Sequence, residues 1–527
     1  MNLKKLILSS LLALAMVVSG TTAFAKEDQS KNRYISVQLL GINDFHGQID
    51  VTRTVDGKKV GGADYLAAYL KKRANKNTLI VHAGDVVGAS SPTSSLLNDE
   101  PTIKILNKIG FDVGTLGNHE FDRGTEEMMR LINGGPNPDT GEPFEGAQFP
   151  YVVANVVDKQ TGKPILPPYT IKKVNGMPIG FIGVVTTETP SIVIPTAVEN
   201  ITFTDEVKAI NKATKELKSM GVESIVVLAH VPGSSEKDGS QATGEIVNMA
   251  SEIDDEVDVI FGGHNHGYLN TTVDGKLLVQ SYSYGTAFSD VDLEIDPKTK
   301  DIVKKDVEIV TTFHEGITPD PEVTKIVEEA KERAGEALNE VVGQASEDIL
   351  REQNPAGESA LGDLIADAQR KAMNSEIAVM NPGGIRDNIY KGEITWGDLY
   401  TVQPFNNILV KMDLTGQQII NLLNQQWRED KTIMLQISGL KYTWDDSIPY
   451  NENRIVDITI NGEPIDPNAT YSVTANNFLA AGGDGFTVLT EGTNQATGPT
   501  DIDALVDFVE AMDQPISYDR DGRIQLK

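Results

Sequence analysis

Residues that can bind a metal ion follow five apolar, strand-like runs of this chain. Val, Ile and Leu dominate these runs, which is typical of strands buried on both faces, and segments with helical spacing lie between them. In an α/β fold the loops after parallel strands meet at one edge of the sheet, so residues far apart in sequence converge there. The loops carry these candidate ligands: Asp44, His46, Asp85, Asn118, His230, His264 and His266.

The candidate ligands are imidazole, carboxylate and amide groups, a mixture that suits borderline divalent ions such as Zn, Mn, Fe or Co. One ion takes about three or four protein ligands, so the ordered set indicates two ions that share a bridging residue. His119 and Asp122 lie in the third of these loops. His119 can give or accept a proton, and Asp122 can orient its imidazole. Single motifs also have structural alternatives: Gly-Asp after a strand, as at Asp85, is a common pair, and an isolated His230 would more often be a core histidine.

Length, charge and cysteine content limit the kinds of protein that this chain can be. A chain of 527 residues is too long for one core and predicts two or three domains. The formal net charge of -30 repels nucleic-acid backbones, so no nucleic-acid partner is expected, and any phosphate site must be locally positive. The absence of cysteine excludes disulfides, so stability must come from large cores and from metal binding.

Residues 1–25 have the features of a secretory signal peptide. Lys4 and Lys5 form a basic start, residues 6–18 are almost wholly apolar, and 23–25 form a small-x-small cleavage site. An uncleaved membrane anchor is the alternative, but the apolar core is short for a bilayer span. No later run reaches about 18 apolar residues, so we expect no membrane insertion. The expected location is extracellular, either released or associated with the cell wall.

Turn chemistry near residue 315 predicts a boundary between two domains. Asp320 is a candidate N-cap with Pro321 at the first helical position, and apolar residues at helical spacing continue to Val341. Beyond this helix the pattern predicts a further helix over 360–372, strands such as 376–380 and 471–475, and Gly-rich loops. The expected division of the mature chain is a first domain over 33–315, a linker helix over 316–342 and a second domain over 343–527.

The order of the ligand motifs resembles a known family. Asp-x-His, Gly-Asp, Gly-Asn-His-Glu, His and Gly-His-x-His are similar to the calcineurin-like metallophosphoesterases, and segments 43–47 and 117–122 resemble the secreted bacterial 5'-nucleotidases in particular. The resemblance covers nearly the whole mature chain. It implies an α/β fold class, with an N-terminal four-layer α/β/β/α sandwich and a C-terminal α/β nucleotide-binding domain. One departure is His266, where several members of the nucleotidase family carry Gln.

The resemblance assigns the candidate ligands to two divalent metal ions, expected to be Zn, Mn or Co. One ion would be held by Asp44, His46, Asp85 and His266. The other would be held by Asp85, Asn118, His230 and His264. In the same resemblance His119 and Asp122 are catalytic: His119 would stabilise the transition state and protonate the leaving group.

The second half of the chain contains motifs that resemble the family's phosphate-binding residues. Segment 381–386, Asn-Pro-Gly-Gly-Ile-Arg, is similar to the family's Asn-Gly-Gly-x-Ile-Arg loop, with Pro382 in place of the usual Gly. Arg386 would grip the substrate phosphate bidentately, which suits a planar guanidinium. Arg351 is the local candidate for a second phosphate-binding arginine. The structural alternative for Arg386 is a surface arginine in a turn.

Two aromatic motifs of the second half resemble the family's base-binding pair. Phe405 and Phe478 would stack on the nucleobase, although an isolated Phe is more often a core residue. Asn407 would contact the base edge, and Asp484 would accept ribose hydroxyls. The complete set of substrate-binding residues implied by the resemblance is Arg351, Asn381, Gly383, Arg386, Phe405, Asn407, Gly439, Phe478 and Asp484.

These features predict an extracellular 5'-nucleotidase that hydrolyses nucleoside 5'-phosphates to nucleoside and phosphate. Two metals would activate a water for in-line attack, without a covalent protein intermediate. A nucleotide bound between the domains is the expected partner, and the oligomeric state stays open. UDP-sugar hydrolase and 2',3'-cyclic-nucleotide phosphodiesterase are alternatives on the same scaffold. A non-catalytic nucleotide-binding surface protein is the alternative from another class.

Overall fold

The computed structural model describes residues 34–527. The predicted signal peptide over 1–25 therefore lies outside the described residues. Two α/β domains follow each other along the described chain, and a helix lies between them. Among residues 34–527, no helix combines the length and the apolar character that crossing a bilayer requires.

The first domain alternates strands and helices. Its strands are β1 (Ile35–Ile42), β2 (Arg53–Val55), β3 (Lys58–Val60), β4 (Thr78–His82), β5 (Val113–Thr115), β6 (Gly135–Pro136), β7 (Pro143–Phe144), β8 (Tyr151–Val152), β9 (Val156–Asp158), β10 (Tyr169–Val174), β11 (Met177–Val185), β12 (Ile201–Phe203), β13 (Ser224–His230), β14 (Val257–Phe261), β15 (Tyr268–Val273), β16 (Lys276–Ser281), β17 (Ala287–Ile295) and β18 (Ile302–Thr311). Its helices are α1 (Ala63–Arg73), α2 (Pro92–Ser95), α3 (Glu100–Ile109), α4 (Gly124–Asn133), α5 (Thr189–Ile192), α6 (Glu206–Ser219) and α7 (Glu245–Met249). Short 3-10 turns cover His119–Phe121 and Pro195–Val198.

Two six-stranded sheets organise the first domain. One has the order β18-β17-β1-β4-β5-β8, and the other has the order β10-β11-β13-β14-β16-β15. Strands β1, β4, β5 and β8 are parallel, as are β11, β13, β14 and β16. In register, Gln38 of β1 lies opposite Thr78 of β4, and Ile179 of β11 lies opposite Ser224 of β13. Parallel strands of this kind are joined by crossovers, which cover the outer faces of the sheets with helices.

The alternation of side chains along each strand separates the core into layers. Leu39 of β1 and Leu228 of β13 pack in one cluster between the two sheets. Leu40 of β1 packs instead with α1, α3 and α4, and Val227 of β13 packs with α6 and α7. The resulting order is helices, sheet, sheet, helices, so the predicted four-layer α/β/β/α sandwich is confirmed.

The candidate ligands lie at the carboxyl ends of five strands. Strands β1, β4 and β5 are neighbours in the first sheet, and β13 and β14 are neighbours in the second. Asp44 and Asp85 come soon after β1 and β4, while His230 is the last residue of β13. Because the two sheets are stacked, their carboxyl edges bring these loops to one side of the domain.

Helix α8 (Pro321–Ala334) connects the domains, and it begins as the sequence predicts. The Asp320 side chain accepts hydrogen bonds from two backbone N–H groups of the first turn. The helix ends at Ala334, because Gly335 follows with a φ angle of 88°. The apolar pattern predicted a helix as far as Val341, which instead begins a strand. Val327 of α8 is buried against the core of the first domain.

The second domain is also α/β. Its strands are β19 (Val341–Ala345), β20 (Ile377–Met380), β21 (Gly392–Thr395), β22 (Ile408–Thr415), β23 (Gln436–Ser438), β24 (Leu440–Trp444), β25 (Ile455–Ile460), β26 (Glu463–Pro464), β27 (Thr470–Asn476), β28 (Thr493–Thr500) and β29 (Ile524–Leu526). Its helices are α9 (Ala360–Met373), α10 (Trp396–Val402), α11 (Gly416–Asn424), α12 (Asn477–Ala480) and α13 (Asp501–Glu510). Short 3-10 turns cover Glu336–Asn339, Pro382–Gly384, Gly483–Gly485 and Thr487–Glu491.

A five-stranded sheet with the order β23-β20-β27-β22-β28 forms the centre of the second domain. One face packs on α11 and on a four-stranded sheet, with Met412 and Tyr442 in the shared core. On the other face, Leu409 packs with Met373 of α9 and Ala504 of α13. The loops after β20 and β27 and the segment before β22 carry the predicted substrate-binding segments 381–386, 478–484 and 405–407, so this sheet presents them together.

Leu39 and Leu40 lie on opposite faces of β1, and both are fully buried. Replacing either with alanine should lower the free energy of unfolding by about 2–5 kcal/mol, because each change leaves a cavity in a separate core. Chemical denaturation followed by circular dichroism measures the change, with Val303→Ala on an exposed part of β18 as the control. A loss below about 1 kcal/mol for either leucine would contradict a strand that is buried on both faces.

Candidate active site

Asp44, His46 and His266 form one group of candidate ligands, with their ligand atoms within 4.8 Å of one another. The Nε2 atoms of His46 and His266 are 3.1 Å apart, and His266 Nε2 lies 3.6 Å from Asp44 Oδ1. Asp44 and His46 are fully buried, whereas His266 is partly exposed. The Oδ2 atom of Asp85 lies 3.7 Å from His46 Nε2 and faces the same point.

Asp85, His230 and His264 form a second group of the same kind. The Asp85 Oδ2 atom lies 3.0 Å from His230 Nε2, so this one oxygen faces both groups. Asn118 joins the second group, because its Oδ1 atom lies 3.2 Å from His230 Nε2 and 2.9 Å from His264 Nδ1. The structure therefore brings all seven candidate ligands together, with Asp85 between the two groups.

Backbone carbonyls determine which nitrogen two of the histidines can offer to a cation. The Nδ1 atoms of His46 and His230 lie 2.8 Å from the carbonyl oxygens of Gly88 and Ala83, respectively. A carbonyl oxygen only accepts, so each Nδ1 carries a proton, and in the neutral ring each Nε2 offers its lone pair. These lone pairs converge with carboxylate oxygens and with the Nε2 atom of His266. A donor set of this kind fits two divalent cations.

Burial shifts the pKa of two ligand groups, Asp44 and His264, in the protein alone. It raises the pKa of Asp44 to about 7, because desolvation of the carboxylate and the nearby negative charge of Asp85 outweigh the positive charge of His230. It also lowers the pKa of His264 to about 3. The imidazole is therefore neutral at physiological pH, which is the form that binds a cation.

The ligand loops have unusual backbone conformations. Five ligands have φ angles between 49° and 83°: Asp44, His46, Asp85, His264 and His266. Residues other than glycine rarely adopt this left-handed region, and such conformations concentrate at functional sites where the surrounding structure imposes them.

Two glycines let the Asp85 and Asn118 loops approach each other closely. A Cβ atom at Gly117 would collide with Asp85 Oδ1, and one at Gly84 would lie 2.5 Å from the backbone nitrogen of Gly117. Gly84 also has a φ angle of 85°. A larger residue at either position would displace the carboxylate that both ligand groups share.

Glu120 is a buried residue of the site that sequence reasoning did not select. Its Oε2 atom accepts the N–H of Asp85 at 2.9 Å and the N–H of Gly117, and its Oε1 atom accepts the N–H of Val86 at 2.8 Å. Burial raises the pKa of this carboxyl to about 7. The Gly-Asn-His-Glu motif contains Glu120, but the peptide groups that it joins come from two separate loops, which only the fold brings together.

His119 lies beside the ligand groups with its imidazole oriented by Asp122. The Nδ1 atom is 2.8 Å from Asp122 Oδ2, and the backbone N–H of His119 donates to Asp85 Oδ1 at 2.8 Å. Burial opposes protonation of the ring, but the carboxylates of Asp122 and Asp85 outweigh it, so the pKa of His119 is raised above its usual value. The ring also stacks on Phe405 of the second domain, with centroids 5.7 Å apart.

A cavity of about 820 Å³ opens between the two domains beside these residues, a size that suits a small-molecule site. The first domain contributes Asn118, His119, Asp122, His264 and His266 to its lining. The second domain contributes Asn381, Gly383, Arg386, Phe405, Asn407, Phe478 and Asp484. Seven of the nine predicted substrate-binding residues therefore face the same space as the candidate metal ligands.

Hydrogen bonds within the second domain orient two polar side chains of this cavity. Asn381 Nδ2 donates to Asp484 Oδ2 at 3.0 Å. Asn407 Nδ2 donates to Asp501 Oδ2 at 3.1 Å, which leaves the Asn407 Oδ1 atom for a ligand. Asp501 is fully buried and is a second residue that the sequence motifs did not indicate. Its contact with Asn407 spans 94 positions, so no local pattern could have revealed it.

Arg351 and Gly439 are not among the residues that line this cavity, which corrects their predicted place in the substrate-binding set. The Nη1 atom of Arg351 donates to the carbonyl oxygen of Ile385 at 2.7 Å, and Arg351 lines a separate cavity of about 480 Å³. Gly439 has a φ angle of 82°, and a Cβ atom there would collide with the carbonyl oxygen of Glu376. Arg351 therefore supports the loop that carries Arg386, and Gly439 permits close packing of the backbone.

Comparison with known proteins identifies the family. A family model described as "Calcineurin-like phosphoesterase" matches residues 37–268, and one described as "5'-nucleotidase, C-terminal domain" matches residues 341–491. The solved structure of a 5'-nucleotidase precursor from Thermus thermophilus covers 93% of this chain and 99% of its own, with 30% identity and a TM-score of 0.80. The chain belongs to the 5'-nucleotidase family of calcineurin-like phosphoesterases. The predicted family and the prediction of a metal-dependent phosphoester hydrolase are thereby confirmed.

Two curated relatives cover almost all of this chain. Endonuclease YhcR of Bacillus subtilis (strain 168) is 45% identical over 96% of this chain, which spans 42% of that relative. Cell wall protein Lmo0130 of Listeria monocytogenes is 38% identical over 97% of this chain and 71% of its own length. The chain thus spans less than half of the first relative and about seven tenths of the second.

Asp85→Asn should lower the metal content of the purified protein from about two equivalents to below one per chain, because both ligand groups lose their shared negative charge. Elemental analysis after dialysis against the metal measures this content. Asp122→Asn is the matched control: it removes a carboxylate of the same site that contacts His119 rather than a ligand group. A metal content of two equivalents per chain in Asp85→Asn would show that the two ligand groups do not share this carboxylate.

Proposed function

We propose that this protein is a 5'-nucleotidase that hydrolyses nucleoside 5'-phosphates to nucleoside and phosphate. The observation that carries the proposal is the position of His119. Its backbone N–H contacts the shared ligand Asp85, its Nδ1 atom contacts Asp122, and its ring stacks on Phe405. One cavity therefore combines candidate metal ligands, an imidazole that can carry a proton and an aromatic ring that suits a nucleobase.

Two divalent cations of the Zn, Mn or Co type are the proposed cofactors, because the donor set mixes imidazole with carboxylate and amide oxygen. Asp44, His46, Asp85 and His266 would hold one of them. Asp85, Asn118, His230 and His264 would hold the other. When bound, the cations would supply Lewis acidity and lower the pKa of a water molecule.

His119 is the proposed proton donor. Because Asp122 holds its Nδ1 atom, the Nε2 atom remains for the substrate. The imidazolium would donate a hydrogen bond to the ester oxygen and transfer its proton as the ribose 5'-oxygen leaves. Asp122 would keep the ring in the required orientation and stabilise its charged form.

The second domain would bind the rest of the nucleotide. The guanidinium of Arg386 would offset the phosphate charge, as a planar fork matches phosphate oxygens. Phe405 and Phe478 would stack on the base, which is worth about 1–3 kcal/mol per base and tolerates any base. Asp484 would accept ribose hydroxyls, and Asn407 would offer its Oδ1 atom to the base edge.

We also propose that the protein is exported, and is either released or associated with the cell wall. The basic start and the apolar core of residues 1–25 support export. The Listeria relative is named a cell wall protein, which supports the wall-associated alternative.

Hydrolysis of nucleotide sugars is the second candidate function. The cavity of about 820 Å³ is near the upper end of the usual range for small-molecule sites, about 300–1,000 Å³, so it leaves room for a group beyond the phosphate. The Bacillus relative is named an endonuclease, so a polynucleotide is also a substrate to test. The net charge of -30 weighs against that substrate.

A substrate panel separates these functions. AMP, UDP-glucose, 2',3'-cyclic AMP and single-stranded DNA are incubated with the protein, with added metal or with a chelator, and the products are separated by chromatography. We expect AMP to be hydrolysed with the highest kcat/KM, and the chelator to abolish the reaction. A higher kcat/KM for UDP-glucose would favour the second candidate. No hydrolysis of any substrate with metal restored would favour the non-catalytic nucleotide-binding protein.

His119→Ala should lower turnover by about 100- to 10,000-fold, because the leaving oxygen loses its proton donor. Its metal content should equal that of the unmodified protein, since His119 is not in either proposed ligand set. His314→Ala is the matched control, because this histidine bonds to the carbonyl oxygen of Gly61 and does not line the cavity. Loss of bound metal from His119→Ala would contradict the proposed role.

A further inference from the structure

One arginine of the first domain links the metal-ligand region to the second domain. Arg53 begins strand β2, in the hairpin that β2 forms with β3. Its guanidinium carbon lies 4.2 Å from the ring centroid of Tyr284. Its Nη1 atom donates to Asp387 Oδ2 at 3.2 Å, and both side chains are largely buried. Arg53 therefore contacts an aromatic ring of its own domain and a carboxylate of the other.

Tyr284 adjoins the first group of candidate ligands. The centroid of its ring lies 5.0 Å from that of His266 and 5.6 Å from that of His46. Its backbone N–H donates to the carbonyl oxygen of Asp44 at 2.7 Å. The stacking of Arg53 on Tyr284 thus fixes the guanidinium relative to three candidate ligands.

Asp387 is the residue that directly follows Arg386 in the chain. Its Oδ1 atom accepts hydrogen bonds from the N–H of Asn388 at 2.8 Å and from the hydroxyl of Tyr390 at 3.0 Å. The N–H of Arg386 donates to the carbonyl oxygen of Val402 at 2.8 Å. These contacts hold the turn as a unit, so the position of Asp387 determines that of Arg386.

We propose that Arg53 is a positioning residue for phosphate: it holds the Asp387 turn against Tyr284 and so holds Arg386 beside the metal ligands. The proposal rests on the proposed function, in which Arg386 grips the phosphate. A guanidinium can stack on a ring and donate hydrogen bonds in its own plane at the same time, which a lysine ammonium cannot do. Arg53 would thus affect phosphate affinity without contacting phosphate.

A second ion pair between the domains provides a comparison. Lys431 Nζ lies 2.6 Å from Glu188 Oε1, so this pair also joins the two domains. Neither residue is adjacent in sequence to Arg386 or to a candidate ligand. If Arg53 served only to tie the domains together, removing the Arg53–Asp387 pair would weaken the binding of every ligand between the domains equally. Removing the Lys431–Glu188 pair would then have the same effect.

Calorimetric titration of the metal-loaded protein with inorganic phosphate, and separately with adenosine, tests the proposal. Arg53→Gln should weaken phosphate binding by about three- to tenfold, through loss of a partly buried ion pair and a cation–π contact, and change adenosine binding by less than about twofold. Arg53→Lys should recover part of the phosphate affinity, because a positive charge remains opposite Asp387. The double variant Arg53→Gln/Asp387→Asn should bind phosphate with no lower affinity than the weaker-binding of the two single variants, since both changes remove the same contact.

Metal content and thermal unfolding are measured on the same samples, and Glu188→Gln is the matched control. If Arg53→Gln fails to fold, Arg53→Lys and Asp387→Asn carry the comparison. Four results would each overturn the proposal: equal weakening of both ligands, unchanged phosphate affinity, loss of metal from the Arg53 variants, or a selective phosphate loss in Glu188→Gln. The titration needs no hydrolysis, so an absence of AMP turnover would count against the proposed function alone.

Discussion

The site of the first domain depends on one buried carboxylate, that of Asp85. Its Oδ2 atom faces both His46 and His230, and its Oδ1 atom accepts the N–H of His119. A buried charge is costly unless it is paired. Burial opposes protonation of His230, but the Asp85 carboxylate outweighs it and raises the pKa of His230 to about 10, so in the protein alone this imidazolium pairs with Asp85. Divalent cations would take the place of that proton. Metal binding is therefore coupled to the stability of the ligand loops as well as to chemistry.

The stacking of two sheets brings the other ligands to Asp85, and the loops do not favour this arrangement by themselves. A left-handed residue other than glycine costs about 1–2 kcal/mol, and five ligands adopt that conformation. The buried strands on which the loops begin, and the Glu120 carboxylate that binds peptide N–H groups of two loops, must hold these conformations. Rigid support of this kind keeps the ligands in position before a cation binds.

Local patterns predicted the features of the fold that have local causes. Buried parallel strands are continuously apolar, so the predicted strand-like runs before Asp85 and before His264 are found as β4 and β14. The end of α8 was not predicted, because apolar residues at helical spacing continue past Gly335, where the helix has already ended. Glu120 and Arg53 were missed because their partners lie 35 and 334 positions away. Arg351 was included in the predicted site because of the family resemblance alone. In the structure its guanidinium donates to the carbonyl oxygen of Ile385.

The distribution of charge reconciles an acidic chain with a phosphate site. A net charge of -30 repels phosphate esters at a distance, but salt screens exposed charges beyond about 8 Å. Within the cleft, Arg386 and the proposed cations would lie close to a bound phosphate, and Arg53 offsets the carboxylate of Asp387 next to Arg386. A mononucleotide brings only its own phosphate into this locally positive region. A polynucleotide would carry many further phosphates across the acidic surface, so the same charge distribution would disfavour it as a substrate.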